Sequence, residues 1–247
     1  MDTQTDGLGD LLRDFYSAYG AQDEGPPHAL NVSQMLPGVP IAEGELDVLR
    51  KALSDAVLRQ QFLACRAILE DLSTRLTRED LLQELMAIPL PSDHALEQLS
   101  SGVLWFALAA SLDAREMGLP VTPLDGTIDL PLPMRVQMTV QGSLVLRLYV
   151  ALVYMREGVL NNLIATSSRA GGPCSASVRK LLNCDYVRRI RNALSHGSFS
   201  ACLAGIVFSD DRGAIVATPG FLSWLSAWLM LIQLQALAAC SRKPHLS

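Results

Sequence analysis

Arg191, Asn192 and His196 are the residues of this chain whose types and spacing are suited to chemistry. An always-charged guanidinium can bind a phosphate, a carboxamide can hydrogen-bond to it, and an imidazole can donate or accept a proton. In RNA the ribose 2′-hydroxyl can be the nucleophile. A protein then need only take its proton, protonate the leaving oxygen and stabilise charge on the phosphoryl group. These residue types therefore indicate metal-independent chemistry on a phosphodiester.

The three residues lie in a segment, 186–197, that is predicted to be a helix. Val187, Ile190 and Leu194 recur at the spacing of three and four residues that marks the buried face of a helix. Gly197 supplies the left-handed residue that commonly follows the last turn. Beside the buried face runs a polar stripe, one residue above another, of Asp185, Arg188, Asn192 and His196.

Arg191 and His196 are five positions apart, so on a regular helix their side chains project about 140° from each other. One copy of the motif therefore makes a poor catalytic pocket. Two arrangements would bring the groups together: an unwound last turn before Gly197, or a second chain that presents the same stripe across a twofold axis. We favour the dimer.

The hexapeptide Arg191-Asn192-Ala193-Leu194-Ser195-His196 resembles the Arg-polar-(three)-His signature of HEPN domains, the higher-eukaryote and prokaryote nucleotide-binding superfamily. The resemblance covers residues 143–239. It implies an all-helical domain, and members are often metal-independent endoribonucleases of toxin or defence systems in which two motifs face each other in a dimer. It also implies that Arg191, Asn192 and His196 are catalytic and that an antitoxin can be a partner.

Other residues around the motif are candidates for binding or support. Lys180, Arg188 and Arg189 form a local basic cluster predicted to contact RNA, and Asp185 and Ser195 are predicted to support the site. The chain as a whole has a formal net charge of −5, which argues against a general nucleic-acid coat, so any RNA site must be local. The alternative is that the cluster is only a solvated helix face.

Two classes of function remain open. The first is a metal-independent endoribonuclease that needs no cofactor. The second is a non-catalytic module that binds RNA or a nucleotide with the same stripe, or in which Asn192 and His196 simply pair at a spacing of four. Substrate and trigger are not encoded in any motif of the chain.

Composition bounds the class of protein. With 247 residues, of which 49% are hydrophobic, the chain can form one large domain or two small ones. The five cysteines are scattered, odd in number and never in a Cys-x-x-Cys pair, so they indicate neither disulfides nor a zinc site. The N-terminus is acidic and lacks an apolar run, so we expect no secretory signal and a cytoplasmic location.

The predicted fold is mainly α, a HEPN-like helical bundle with a small β-hairpin near 203–218 after the motif helix. In the N-terminal part, 45–76 is predicted to be one long helix with a shift of its buried face, followed by a short helix and a third that runs to Gly118. The predicted regions are a loose lead-in at 1–44, a helical region at 45–118, a Pro-rich connection at 119–142 with a short strand or the front of the next helix, the HEPN-like domain at 143–239, and a tail at 240–247.

The segment 221–239 carries no charge and is followed by Arg242 and Lys243. By length alone it is compatible with a C-terminal membrane anchor, but its serines and glutamines lower its hydrophobicity. A buried last helix or a dimer interface has the same pattern, and we favour these over the membrane. The apolar residues proposed for the interface are Phe221, Trp224, Leu225, Trp228, Leu229 and Ile232.

Overall fold

Ten helices and three short strands make up the part of the chain that the computed structural model describes, which is 3–21, 43–89, 93–118, 144–154, 159–202 and 204–242. The prediction of a mainly helical fold with a small antiparallel sheet is confirmed. In order, the elements are α1 Thr3–Tyr19, α2 Glu43–Ser54, α3 Ala56–Leu76, α4 Asp80–Met86, α5 Asp93–Gly118, α6 Leu144–Tyr154, α7 Val159–Arg169, α8 Pro173–Asn183, α9 Asp185–His196, β1 Phe199–Cys202, β2 Gly205–Asp210, β3 Gly213–Ala217 and α10 Pro219–Arg242.

Helix α9 contains the motif and ends as its sequence predicts. Gly197 adopts a left-handed conformation with φ +66°, which costs glycine little because it has no Cβ. Its N–H donates to the Leu194 carbonyl at 3.3 Å, and the N–H of Ser198 donates to the Ala193 carbonyl at 2.8 Å. These bonds satisfy carbonyls of the last turn and direct the chain from the helix into β1.

The centre of the core is an aromatic cluster that joins α9 to helices distant in sequence. The ring of Tyr186 lies 5.4 Å from that of Phe62 in α3 and 5.6 Å from that of Phe221 in α10, and Phe62 and Phe221 are 5.0 Å apart. All three side chains are fully buried. Aromatic pairs at these separations stabilise a fold beyond their buried area, so the start of α9 is fixed in position.

The sheet follows α9 directly and has the order β1-β2-β3, with both pairs antiparallel. The predicted hairpin is the β2–β3 pair, and its turn closes at Gly213 with φ +113°. The additional strand, β1, was not predicted because its four residues, Phe199–Cys202, are too few to show a periodic pattern. A Cβ at Gly205 would clash with the Ala217 carbonyl oxygen, which explains glycine at the first position of β2.

The predicted single helix over 45–76 is wrong, because the structure contains two helices separated at Asp55. Its backbone is extended, with φ −84° and ψ 98°, and its carboxylate accepts hydrogen bonds from the N–H groups of Val57 and Leu58, both at 3.0 Å. This is the N-cap geometry in which aspartate stabilises the first turn of a new helix. The predicted shift of the buried face was placed later, between Val57 and Cys65, and Val57 is 64% exposed.

The lead-in at 1–44 contains a longer helix than predicted, since one short amphipathic turn or two were expected where α1 spans Thr3–Tyr19. Phe15, Tyr16 and Tyr19 of α1 are buried in the core. The Tyr19 hydroxyl donates to the Ala52 carbonyl at 2.7 Å, and that of Tyr16 donates to the Ala204 carbonyl at 3.1 Å. The end of α1 therefore packs against both α2 and the sheet region. Residues 22–42 lie outside the described residues.

Helices from the predicted regions 45–118 and 143–239 contribute to one continuous hydrophobic core. The short helix α4 and the third helix α5 agree with their predicted positions. The helix predicted over 143–164 corresponds to α6, which widens into a π-helical turn at Val150–Tyr154, and to the first half of α7. The connection at 119–142, with its predicted strand, and residues 155–158 lie outside the described residues.

Helix α10 is the one helix among the described residues that is long and apolar enough to cross a membrane, and half of its most apolar stretch is buried within the fold. It packs on α4 and α5. The predicted dimer interface on this helix needs correction, because Phe221, Leu225, Leu229 and Ile232 are at most 1% exposed in the chain's own core. Trp224 and Trp228 are half-buried against that core.

The predicted tail is helical to Arg242, and 243–247 lie outside the described residues.

Candidate functional site

The site is positioned by a buried ion pair between α9 and the hairpin. Arg189 and Asp210 have side chains only 8% and 4% exposed. The Arg189 Nε donates to both Asp210 carboxylate oxygens at 3.2 Å, while Nη2 donates to Oδ1 at 3.0 Å and to the Gly213 carbonyl at 2.8 Å. The predicted RNA contact of Arg189 has a physical obstacle, because its guanidinium is engaged inside the fold. The residue instead ties the hairpin turn to the motif helix.

Tyr186 makes a second link on the same face of α9. Its hydroxyl donates to the Val216 carbonyl in β3 at 3.1 Å. Burial raises the pKa of Tyr186 well above its usual value, with the neighbouring thiol of Cys65 as a smaller cause. The phenol therefore stays neutral, and α9 is held to both strands of the hairpin.

A chain of surface charges continues the link beyond the buried pair. Arg188 lies 3.6 Å from Asp185 within α9, and Arg212 in the hairpin turn lies 3.7 Å from both Asp185 and Asp210. Asp185, Arg188 and Arg212 are each 43–48% exposed, so these pairs contribute little to stability. They orient the predicted supporting residue Asp185 towards the turn. Lys180, the third residue of the basic cluster, is exposed in the last turn of α8.

An open pocket lies between the end of α9 and the hairpin, with a volume of about 520 Å³. Two of the three predicted catalytic residues, Asn192 and His196, line it. The other lining residues are Ser198, Ser209, Asp210 and Asp211. The N–H of Ser209 donates to the Ser198 carbonyl at 2.9 Å, which fixes the two serines beside each other at the end of the β1–β2 pair.

Arg191 is half-buried and does not line this pocket. Its Nη2 donates to Oδ1 of Asn192 at 3.2 Å. Its Nη1 is buried and has no hydrogen-bond partner within the described part of the chain. The Ser195 hydroxyl, predicted to support the site, donates to the Arg191 carbonyl at 3.0 Å and is exposed. The helix thus brings Asn192 and His196 together and leaves the guanidinium to one side, as the 140° separation on the helix predicts.

The hairpin side of the pocket was missed by sequence reasoning. The run 209–213 was recognised as a turn, but nothing in its spacing shows that it returns to the end of α9. The burial of Arg189 gave no signal either, because on a regular helix it lies about 135° from the centre of the face formed by Val187, Ile190 and Leu194. Its partner Asp210 is therefore identified by the structure alone.

The chemistry available in the pocket is that of a solvent-accessible imidazole beside an amide, two hydroxyls and two carboxylates. His196 is exposed in the last turn of α9 and can exchange protons with a ligand. Because the Asn192 oxygen accepts from Arg191, its Nδ2 is the group left to donate into the pocket. No cluster of three or more His, Cys, Asp or Glu side chains in the described ranges has an arrangement that could hold a metal ion.

The chain matches no family model, no curated protein and no solved structure.

Proposed function

We propose that the protein is a metal-independent endoribonuclease of HEPN type, with His196 as its acid/base group. The observation that carries the proposal is that Asn192 and His196 open into one pocket at the end of the motif helix. The HEPN resemblance of the hexapeptide supports the same conclusion. In this reaction the 2′-oxygen forms a bond to phosphorus, the bond from phosphorus to the 5′-oxygen breaks, and His196 transfers protons to or from the reacting oxygens.

The proposed charge-stabilising group is Arg191, and the second chain of a homodimer supplies it. In one chain its guanidinium lies beside the pocket rather than in it. A twofold arrangement of two α9 helix ends would place the Arg191 of one chain near the His196 of the other. Because guanidinium offers two parallel donors to phosphate oxygens, it suits the developing charge better than a point charge does.

Cleavage in the presence of a chelator tests the proposed reaction. The purified protein should cleave RNA in excess EDTA and leave a 2′,3′-cyclic phosphate end, because the 2′-oxygen is the nucleophile. A substrate with a 2′-deoxyribose at the cleavage position should not be cut there. Cleavage that requires added metal, or products with a free 3′-hydroxyl, would overturn the proposal.

Subunit mixing tests the shared site. His196→Ala and Arg191→Ala chains should each be inactive alone, and exchange of subunits should restore activity, because one pocket of the mixed dimer then contains both groups. Full activity from a protein that is monomeric at the assay concentration would contradict the shared site.

The second candidate function is a non-catalytic module that binds RNA or a nucleotide. The engagement of Arg191 with Asn192 at 3.2 Å favours it, because a guanidinium bonded within its own chain is less available to stabilise charge in a reaction. In this case RNA should bind in EDTA and remain intact, and the mixing experiment should give no activity.

The proposal includes a cytoplasmic toxin or defence role in which an antitoxin or other protein controls the nuclease. Half of the most apolar stretch of α10 is buried in the chain's own fold, which favours a core helix over the tail-anchor alternative. Partition of the full chain between soluble and membrane fractions distinguishes the two.

A further inference from the structure

The pocket at the end of α9 is poorly suited to a phosphate group. Of the six described residues that line it, none is arginine or lysine, and two are aspartates. A phosphate there would meet the exposed carboxylate of Asp211 with no arginine or lysine among these lining residues to offset its charge, which is unfavourable at short range. The group that enters this pocket must therefore be a neutral part of the ligand.

The two aspartates are not equivalent. Asp210 is 4% exposed, and its carboxylate is held by the Arg189 guanidinium through three hydrogen bonds. Its Oδ1 also accepts from the backbone N–H of Arg212 at 3.1 Å. Asp211 is exposed, so its carboxylate has its full capacity to accept hydrogen bonds from a ligand. Asp211 is the anionic acceptor of the pocket.

The remaining groups define a complementary pattern. Nδ2 of Asn192 donates, the hydroxyls of Ser198 and Ser209 donate or accept, and the His196 ring does either. A ligand that both donates to a carboxylate and accepts from an amide or hydroxyl fits this pattern, as the hydroxyls of a ribose do. Carboxylates that accept from ribose hydroxyls are a recurrent means of sugar recognition in nucleotide sites. The volume of about 520 Å³ falls within the roughly 300–1,000 Å³ common for small-molecule sites.

We propose that this pocket binds the ribose of a nucleotide and that Asp211 accepts a hydrogen bond from its 2′-hydroxyl. The site then selects RNA over DNA. The inference rests on the proposed function, because it takes RNA to be the ligand. Asp211 is then the residue that determines specificity, and the ribose is the part of the ligand that enters the pocket. The phosphate stays outside the pocket, where the Arg191 guanidinium of a second chain would meet it.

The test is a comparison of nucleosides, which carry no phosphate. Each of the four ribonucleosides and its 2′-deoxy counterpart is titrated into isotope-labelled protein, and NMR shifts of the Asn192 side-chain amide and the His196 ring are followed. We expect at least one ribonucleoside to bind about tenfold more tightly than its deoxy form, the effect of one hydrogen bond to a charged acceptor. Inorganic phosphate should leave these signals unchanged.

Replacement of Asp211 by alanine tests the residue itself. Loss of the ribose contact should abolish the preference for the ribonucleoside, and the change in protein charge alone should not, because a nucleoside carries no phosphate. We expect the Asp211→Ala protein to bind both forms of the nucleoside equally. Asp47→Ala, at an exposed aspartate in α2, is the matched control and should keep the tenfold preference.

Equal binding of both forms by the unaltered protein, absence of nucleoside binding, or a preference that survives in Asp211→Ala would overturn the inference. These outcomes are separable from failure of the proposed function. Cleavage of RNA in EDTA without any ribose preference in the pocket would overturn the inference alone. A ribose preference in a protein that never cleaves RNA would support the inference and overturn the catalytic proposal.

Discussion

Arg189 and Arg191 lie two positions apart on the motif helix, but in opposite surroundings. The guanidinium of Arg189 is buried and donates through Nε and Nη2 to Asp210 and the Gly213 carbonyl. That of Arg191 has one bond, to the neighbouring Asn192, and a buried Nη1 with no partner in the described ranges. Two arginines of one helix therefore have different roles. One fixes the hairpin to the helix, and the other is left incompletely satisfied beside an open pocket.

The same contrast separates the two ends of α9. At its start, Tyr186 is packed between aromatic rings and bonded to β3. At its end, His196 is exposed and opens into the pocket. Binding and catalytic groups need polar atoms left available to a ligand, and a rigid start allows the end to carry them in fixed positions. Mutations at the two ends should therefore have different consequences, for stability at the start and for activity at the end.

The largest effect is expected from Arg189→Met. It leaves the buried Asp210 carboxylate without its main partner, which typically costs about 3–5 kcal/mol. The free energy of unfolding, measured by urea titration, should fall by that amount. Arg188→Met is the matched control, because its exposed ion pair contributes under about 1 kcal/mol. Equal losses in the two variants would contradict the distinction between the two arginines.

A smaller effect, on activity rather than stability, is expected from Arg191→Lys. A point-charge ammonium does not reproduce the planar pair of donors, so RNA cleavage should fall by roughly ten- to a hundredfold. The melting temperature should change little, since the guanidinium of Arg191 makes only one hydrogen bond within the described residues. Activity at the unaltered level would show that Arg191 supplies only general attraction.

Tyr186→Phe should cost about 1 kcal/mol, the usual contribution of a single buried hydrogen bond. The aromatic packing remains, and only the bond to the Val216 carbonyl is lost. Tyr149→Phe, at a tyrosine 43% exposed, serves as the control and should leave the unfolding free energy unchanged. A loss as large as that of Arg189→Met would mean that the hydroxyl, not the ion pair, holds the hairpin.

The smallest effect concerns Asp71, an aspartate that accepts a hydrogen bond and is exposed, in contrast to the buried Asp210. The Ser177 hydroxyl donates to Asp71 at 2.8 Å and lowers the pKa of that carboxyl, with Arg75 as a lesser cause. A carboxyl whose pKa is lowered by folding stabilises the fold at pH values above its unfolded pKa of about 3.9. This stabilisation is lost as the pH falls through the folded pKa. Ser177→Ala should therefore reduce stability at pH 7 by under about 1 kcal/mol, because Asp71 is 44% exposed. The difference between variant and unaltered protein should shrink in acid, as urea titrations over pH 2–5 would show.

Local patterns in the sequence predicted local structure well. The spacing of Val187, Ile190 and Leu194 together with Gly197 predicted both the buried face and the end of α9, because helix periodicity and the left-handed cap depend on neighbouring residues alone. The break at Asp55 was not recognised in the sequence, because a helix that continues and one that restarts bury similar side chains. An N-cap aspartate between the two halves was the signal that distinguishes them.

Contacts between distant segments were not predictable in the same way. The pairing of Arg189 with Asp210 and the lining of the pocket by Asp211 depend on where the hairpin turns back, which is set by tertiary packing. The burial of Phe221 and Ile232 in the chain's own core likewise depends on α4 and α5. The sequence pattern of an apolar helix is the same whether the helix packs in the core of its own chain, against a second chain or in lipid.

The central claim is that the end of α9 acts on RNA while its start only holds the fold. Its most direct test measures RNA cleavage in excess EDTA and thermal unfolding on the same samples of His196→Ala. Arg169→Ala, an exposed cation in the last turn of α7, is the control. We predict that His196→Ala melts like the unaltered protein and loses roughly a hundred- to ten-thousandfold in cleavage rate, while Arg169→Ala keeps both properties. Normal cleavage by a folded His196→Ala protein would contradict the claim.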